Sequence, residues 1–80
     1  MTRDEFAAKL GDLVQELAGL DAARVVGDAR LVDDLDLDSI AVAELATAIE
    51  QRFDVKVSDS VIETFKTVGD ILDYVVPRLA

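Results

Sequence analysis

The side chains able to do chemistry are few, and the missing ones narrow the choice. The chain has no Cys and no His. Thiolate nucleophiles, disulfides and Cys-based zinc sites are therefore excluded. So are the usual general base near neutral pH and a Ser-His-Asp triad. Attention falls on Asp33-Asp34-Leu35-Asp36-Leu37-Asp38-Ser39-Ile40, where one hydroxyl follows a run of alternating acids. Asp34, Asp36 and Asp38 look at first like a calcium loop. That pattern fails, because Ser39 and Leu45 stand where it requires Gly and a bidentate Glu. A metal-hydrolase reading fares worse without His, and no metal ligands are assigned. Ser39 itself lies where a helix should begin, and a Ser there is first of all a cap. Asp38 could equally be the cap. Neither completes a capping box, since Ala41 and Val42 sit three residues further on.

The elements that must position Ser39 can be read from periodicity. Thr2 and Glu5 form a capping-box signature, and Phe6, Leu10, Leu13, Val14 and Leu17 follow on one helical face. Gly19 suits a left-handed stop, so a first helix is predicted over about 3–18. Residues 20–37 show no sustained period. A loop this long in a small domain is usually functional. Leu31, Leu35 and Leu37 should pin it to the core, and Ala22–Val25 should form one short turn. A second helix should start at Asp38 or Ser39, bury Val42, Leu45, Ala46, Ile49 and Phe53, and end at Asp54. Val55 and Val57 are strand-like but too few for a sheet. Ser58 should cap a short helix through Val61, Ile62 and Phe65. Thr67 and Asp70 should cap a last helix with Val68, Ile71, Leu72, Val75 and Val76 on its buried face, which Pro77 stops. The expected fold is all-α: a small four-helix bundle of three main helices and one short one, with a long first crossover loop.

Eighty residues leave room for one domain, taken as 1–80. The 51% hydrophobic content argues against disorder. Seventeen acids against eight bases give a net charge of −9. Nucleic-acid binding and attraction to anionic membranes are thereby disfavoured. Partners with a basic face are favoured. No run approaches the roughly 18 apolar residues of a membrane span. The acidic start Met-Thr-Arg-Asp-Glu-Phe is not a signal peptide. A cytoplasmic monomer is expected.

The segment Asp34-Leu35-Asp36-Leu37-Asp38-Ser39-Ile40 resembles the modification motif of acyl carrier proteins, in which Asp-Ser-Leu follows an acidic Asp-Leu-Gly loop. The resemblance runs along the chain, through the helix Ile40–Phe53, the Val55–Asp59 link and Thr67-Val-Gly-Asp-Ile-Leu-Asp-Tyr74. It implies a non-catalytic carrier with 4′-phosphopantetheine joined to Ser39 by a phosphodiester. A separate magnesium-dependent phosphopantetheinyl transferase would install that arm from coenzyme A. The arm's thiol would hold acyl groups as thioesters for fatty-acid or polyketide-type biosynthesis. A chain without Cys would thus import its thiol.

The resemblance also assigns recognition to the second helix. Acyl-transferring and condensing enzymes with basic docking patches would read Asp38, Ile40, Glu44 and Glu50. Glu44 and Glu50 lie about 240° apart on the helical wheel, so they form no single line. Plain solvation of a helix face explains such charges equally well. Ile40, Val61, Ile62 and Phe65 could line an acyl cleft, or simply be core. Departures from the family pattern stand out as well. Asp36 replaces the loop Gly, Ile40 replaces Leu, Ala41 replaces an acid, and Gln51 and Arg52 interrupt an acidic run. The partner set is therefore expected to differ from that of the common fatty-acid carrier. Carriers of aminoacyl or peptidyl groups usually show Gly-Gly before the motif, which is absent here. That class and an unmodified helical interaction domain are the alternatives. A Met start and a stop just past the last helix suggest a free-standing protein.

Overall fold

Each helix starts where a side chain can satisfy its first free amides. In the computed structural model, which describes residues 1–79, α1 spans Arg3–Ala18. Thr2 caps it: its Oγ1 accepts from the Glu5 N–H at 3.1 Å, and Glu5 Oε1 accepts from the Thr2 N–H at 3.2 Å. Hydrogen bonding to Thr2, through its side chain and then its backbone, holds the Glu5 carboxyl below its ordinary pKa. Gly19 ends α1 at φ +71°, a left-handed conformation that glycine adopts without penalty. Helix α2 spans Ser39–Phe53 and stops at Asp54, φ +57°. Helix α3, Asp59–Ile62, is capped by Ser58. Helix α4, Val68–Val75, has the reciprocal Thr67–Asp70 box even though Asp replaces the longer Glu. Single 3₁₀ turns cover Ala22–Arg24 and Val76–Arg78.

Among the described residues the secondary structure is helical, with four α-helices and no strand. The buried faces of α1, α2 and α4 enclose one core. It is built on Phe6, Leu10 and Val14 from α1, Leu45 and Ile49 from α2, and Ile71 and Val75 from α4, all nearly inaccessible to water. Val55 and Val57 are buried in an extended link without pairing into a sheet. Phe53 is half-buried and meets Phe6 edge-on, with ring centroids 4.9 Å apart. No helix among the described residues is long and apolar enough to cross a membrane.

Three expectations need correction. Leu17 belongs to the α1 stripe by spacing, yet it is 45% exposed. It borders an open groove shared with α2 residues from Ser39 to Gln51. Phe65 is not on α3, which ends at Ile62. A turn through Glu63 and Thr64, with Thr64 donating to the Val61 carbonyl, carries Phe65 back into the core. Val76 leaves the α4 face for the following 3₁₀ turn and is half-buried.

The long crossover is aperiodic in sequence but closely held in space. Leu31, Leu35 and Leu37 are buried beneath it. Its backbone is latched to the entry of α4. The Leu31 N–H donates to the Lys66 carbonyl at 2.9 Å, Val68 N–H to Ala29 at 3.0 Å, and Gly69 N–H to Gly27 at 2.9 Å. Residues Arg30 and Thr67 form a single antiparallel bridge. The approach at Gly69 is close enough that an added Cβ would sit 3.1 Å from the Gly27 carbonyl oxygen. Gly69→Val should therefore lower unfolding stability by about 1–3 kcal/mol in urea titration. Amide exchange at Leu31, Val68 and residue 69 should quicken, while α1 amides near Leu10 change least.

Candidate functional site

The site is built from the last turn of the crossover into the first turn of α2. Asp34 organises that turn. Its Oδ2 accepts from the Arg30 N–H at 2.8 Å, and its own N–H donates to the Arg30 carbonyl at 3.0 Å. The Leu35 N–H shares the Arg30 carbonyl, and the Leu37 N–H reaches Leu31 at 2.9 Å. The Arg24 guanidinium donates to the Asp34 carbonyl at 2.7 Å and ties the 3₁₀ turn to the loop. Asp36 sits at φ +56°, so this position does require a left-handed residue, and Asp tolerates it.

Asp38, not Ser39, is the cap. Its backbone is extended, at φ −86° and ψ 178°, and its Oδ1 accepts from the Ala41 N–H at 2.7 Å. Ser39 becomes the first helical residue. It is exposed, and its hydroxyl makes no hydrogen bond to any described residue. The N–H groups of Ser39 and Ile40 likewise donate to no described residue. Two free amides at the positive end of a helix dipole favour an attached phosphate. Ile40 is beside them and 68% exposed.

The two glutamates of α2 are placed differently. Glu44 is exposed and joins no ion pair among the described residues. Glu50 is half-buried, and its Oε1 accepts from the Val57 N–H at 2.7 Å. That carboxylate holds the link between α2 and α3, and the Tyr74 hydroxyl reinforces it by donating to the Lys56 carbonyl at 2.9 Å. Arg52 pairs with Glu16 of α1 at 3.0 Å. No three His, Cys, Asp or Glu side chains converge on one point among the described residues.

Ile40, Val61, Ile62 and Phe65 are not brought together around one opening. Ile40 lies on an open groove of about 600 Å³ between α2 and the last turn of α1, bordered by Leu17, Ser39 and Glu44. Val61 flanks a separate depression beside Tyr74 and Arg78. Phe65 is core, edge-on to the Tyr74 ring with centroids 6.0 Å apart. Ile62 is half-buried against the same core. Ile40 shares its groove with Leu17 of α1 and with no residue of α3.

Comparison with known proteins gives the family. The family described as "Phosphopantetheine attachment site" matches residues 8–75. The chain belongs to the acyl carrier protein family. It is 40% identical to an acyl carrier protein of Rhodococcus erythropolis over 92% of this chain and 81% of that one. Against an acyl carrier protein of Thermotoga maritima the identity is 37%, over 98% and 96% of the two chains. The solved acyl carrier protein of Enterococcus faecalis superposes with a TM-score of 0.78 at 34% identity, covering 96% of this chain and 98% of that one. The carrier holds covalent 4′-phosphopantetheine, whose thiol takes acyl groups as thioesters for fatty-acid-type biosynthesis. The family is not catalytic, and it interacts with a phosphopantetheinyl transferase and with biosynthetic enzymes.

The α2 terminus fits such a group: one exposed, uncommitted hydroxyl beside two free amides. The sequence did not show the roles of three supporting residues. Asp34 and Arg24 brace the carrier's loop, and their only signal was the density of acids and turn-formers. Leu17 was seen but assigned to the core.

Two stability effects follow. Asp38→Ala should cost about 1 kcal/mol in urea unfolding, and Asp38→Asn distinctly less, because the amide oxygen can still cap. Glu50→Ala should cost about 1–2 kcal/mol by stranding a partly buried N–H. Its signature would be faster amide exchange at Val57 with the start of α2 unaffected.

Proposed function

We propose that Ser39 is the attachment point of the arm and that residues 1–80 act as one carrier domain. The observation that carries this is the division of labour at the start of α2. Asp38 takes the cap, and Ser39 keeps an exposed hydroxyl free of internal bonds. The free amides of Ser39 and Ile40 stabilise the attached phosphate. No described group accepts a hydrogen bond from the Ser39 hydroxyl, so the base that removes its proton comes from the transferase. The chain itself performs no catalysis.

Asp38, Ile40 and Glu44 form the surface that partner enzymes read around the arm. Glu50 adds negative charge to that helix but works chiefly by holding the α2–α3 link. Transferase and acyl-handling enzymes approach with basic patches, drawn by the net charge of −9. The carrier works as a cytoplasmic monomer in fatty-acid or polyketide-type synthesis. The names of the similar proteins support acyl cargo over aminoacyl cargo.

Coexpression with a broad-specificity phosphopantetheinyl transferase should raise the intact mass by one arm. Ser39→Ala should show no gain. An unmodified wild-type chain beside a competent control carrier, or a modified Ser39→Ala chain, would refute the assignment.

A further inference from the structure

The four residues that the family resemblance suggested for an acyl cleft share no opening: Ile40 is apart from Val61, and Phe65 is core. A different apolar recess lies close to Ser39. It is a narrow seam between the end of α1 and the start of α2, walled by Val14, Leu17, Ala18, Leu37, Ala41 and Leu45. Leu37 and Ala41 stand two residues before and two residues after Ser39 in the chain. Val14, Leu37 and Leu45 are buried, so the inner wall is the core itself. Leu17 and Glu44 border both the seam and the open groove that reaches Ser39, so the seam opens from that groove. Glu44 is the one polar side chain among the described residues that line it, and it is exposed. About 20 Å³ of space is free inside.

We propose that this seam takes up the carrier's own cargo: an unbranched, uncharged acyl chain on the arm enters between α1 and α2 as Leu17 turns outward. This rests on Ser39 as the attachment point. The tether selects the occupant, because an arm fixed at Ser39 keeps its cargo at high local concentration beside the groove. Burying methylenes against Val14, Leu37 and Leu45 is favourable. Turning Leu17 aside sacrifices little packing, since that side chain is already 45% exposed. A chain that ends in a carboxylate is excluded. The apolar walls offer its charge no hydrogen bond, and Glu44 repels it at the mouth. The fold therefore shelters simple acyl chains and leaves carboxylated ones in water.

The test loads the full chain from coenzyme A, hexanoyl-coenzyme A and adipoyl-coenzyme A with a broad-specificity phosphopantetheinyl transferase, and confirms each product by intact mass. Hexanoyl and adipoyl cargo have equal length and differ in one terminal carboxylate. Thermal unfolding and methyl NMR spectra are then recorded for each form. Hexanoyl cargo should raise Tm by about 5 °C over the arm alone. It should shift the methyl signals of Val14, Leu37 and Leu45 and leave those of Val61 in place. Adipoyl cargo should raise Tm by less than about 1 °C. Ala18→Leu fills the seam from an exposed helical position. It should leave the Tm of the arm-only form within about 1 °C of wild type, because Leu is a good helix former. It should also cut the hexanoyl gain to under about 2 °C. Hexanoyl-dependent shifts centred on Val61 and Ile62 would overturn the seam. Unchanged spectra, or an equal Tm gain from adipoyl cargo, would overturn it too. The wild-type methyl map decides even if Ala18→Leu unfolds. A wild-type chain that gains no mass would instead remove the Ser39 assignment, and this inference with it.

Discussion

The contact on which the site depends is the one between the Asp38 carboxylate and the Ala41 amide. A helix must satisfy its first free N–H groups, and Ser is among the side chains best suited to do so. Had Ser39 been the cap, its oxygen would be tied to the backbone as an acceptor. Placing Asp38 one residue earlier satisfies the helix with a charge-assisted bond. The hydroxyl that follows stays in water. The same carboxylate that looks unfavourable beside a phosphate is thus what leaves room for one.

That cap is only as well placed as the loop that delivers it. The crossover is long, and a chain this small cannot hold it by burial alone. Its leucines anchor it from beneath, and three backbone bonds to the Lys66–Gly69 region hold it at the edge. Asp34 closes the final turn, and Asp36 reverses the chain at positive φ. The exposed ion pairs Arg3–Asp73 and Arg52–Glu16 contribute little by comparison. Stability comes from the shared core, working against the self-repulsion of an acidic chain.

The same economy of charge shapes the surface. An acidic protein attracts basic partners at long range, where net charge matters. At contact range the individual side chains matter, and α2 presents one free carboxylate within an apolar groove. Long-range attraction and short-range fit are therefore separate properties here. The first comes from composition, and the second from which carboxylates the fold has already engaged.

Local patterns in the sequence were enough to place α1, α2 and α4 and the caps of α1, α3 and α4. Thr2, Ser58 and Thr67 act on amides three residues away, and the buried faces around Phe6, Leu45 and Ile71 recur with the helical period, so neighbours along the chain contain the information. The crossover was legible as a loop anchored by Leu31, Leu35 and Leu37, and Ser39 as the residue of interest through its motif. Long-range geometry decided the rest. Whether Asp38 or Ser39 capped α2 depended on how the loop entered the helix. Glu50 turned inward because Val57, seven residues on, folds back beside it. Leu17 stayed in water on an open groove beside α2, and Ile40 lay on that same groove, apart from Val61 and Phe65. Each of these outcomes rests on how separate segments meet in space, which periodicity along the chain does not encode.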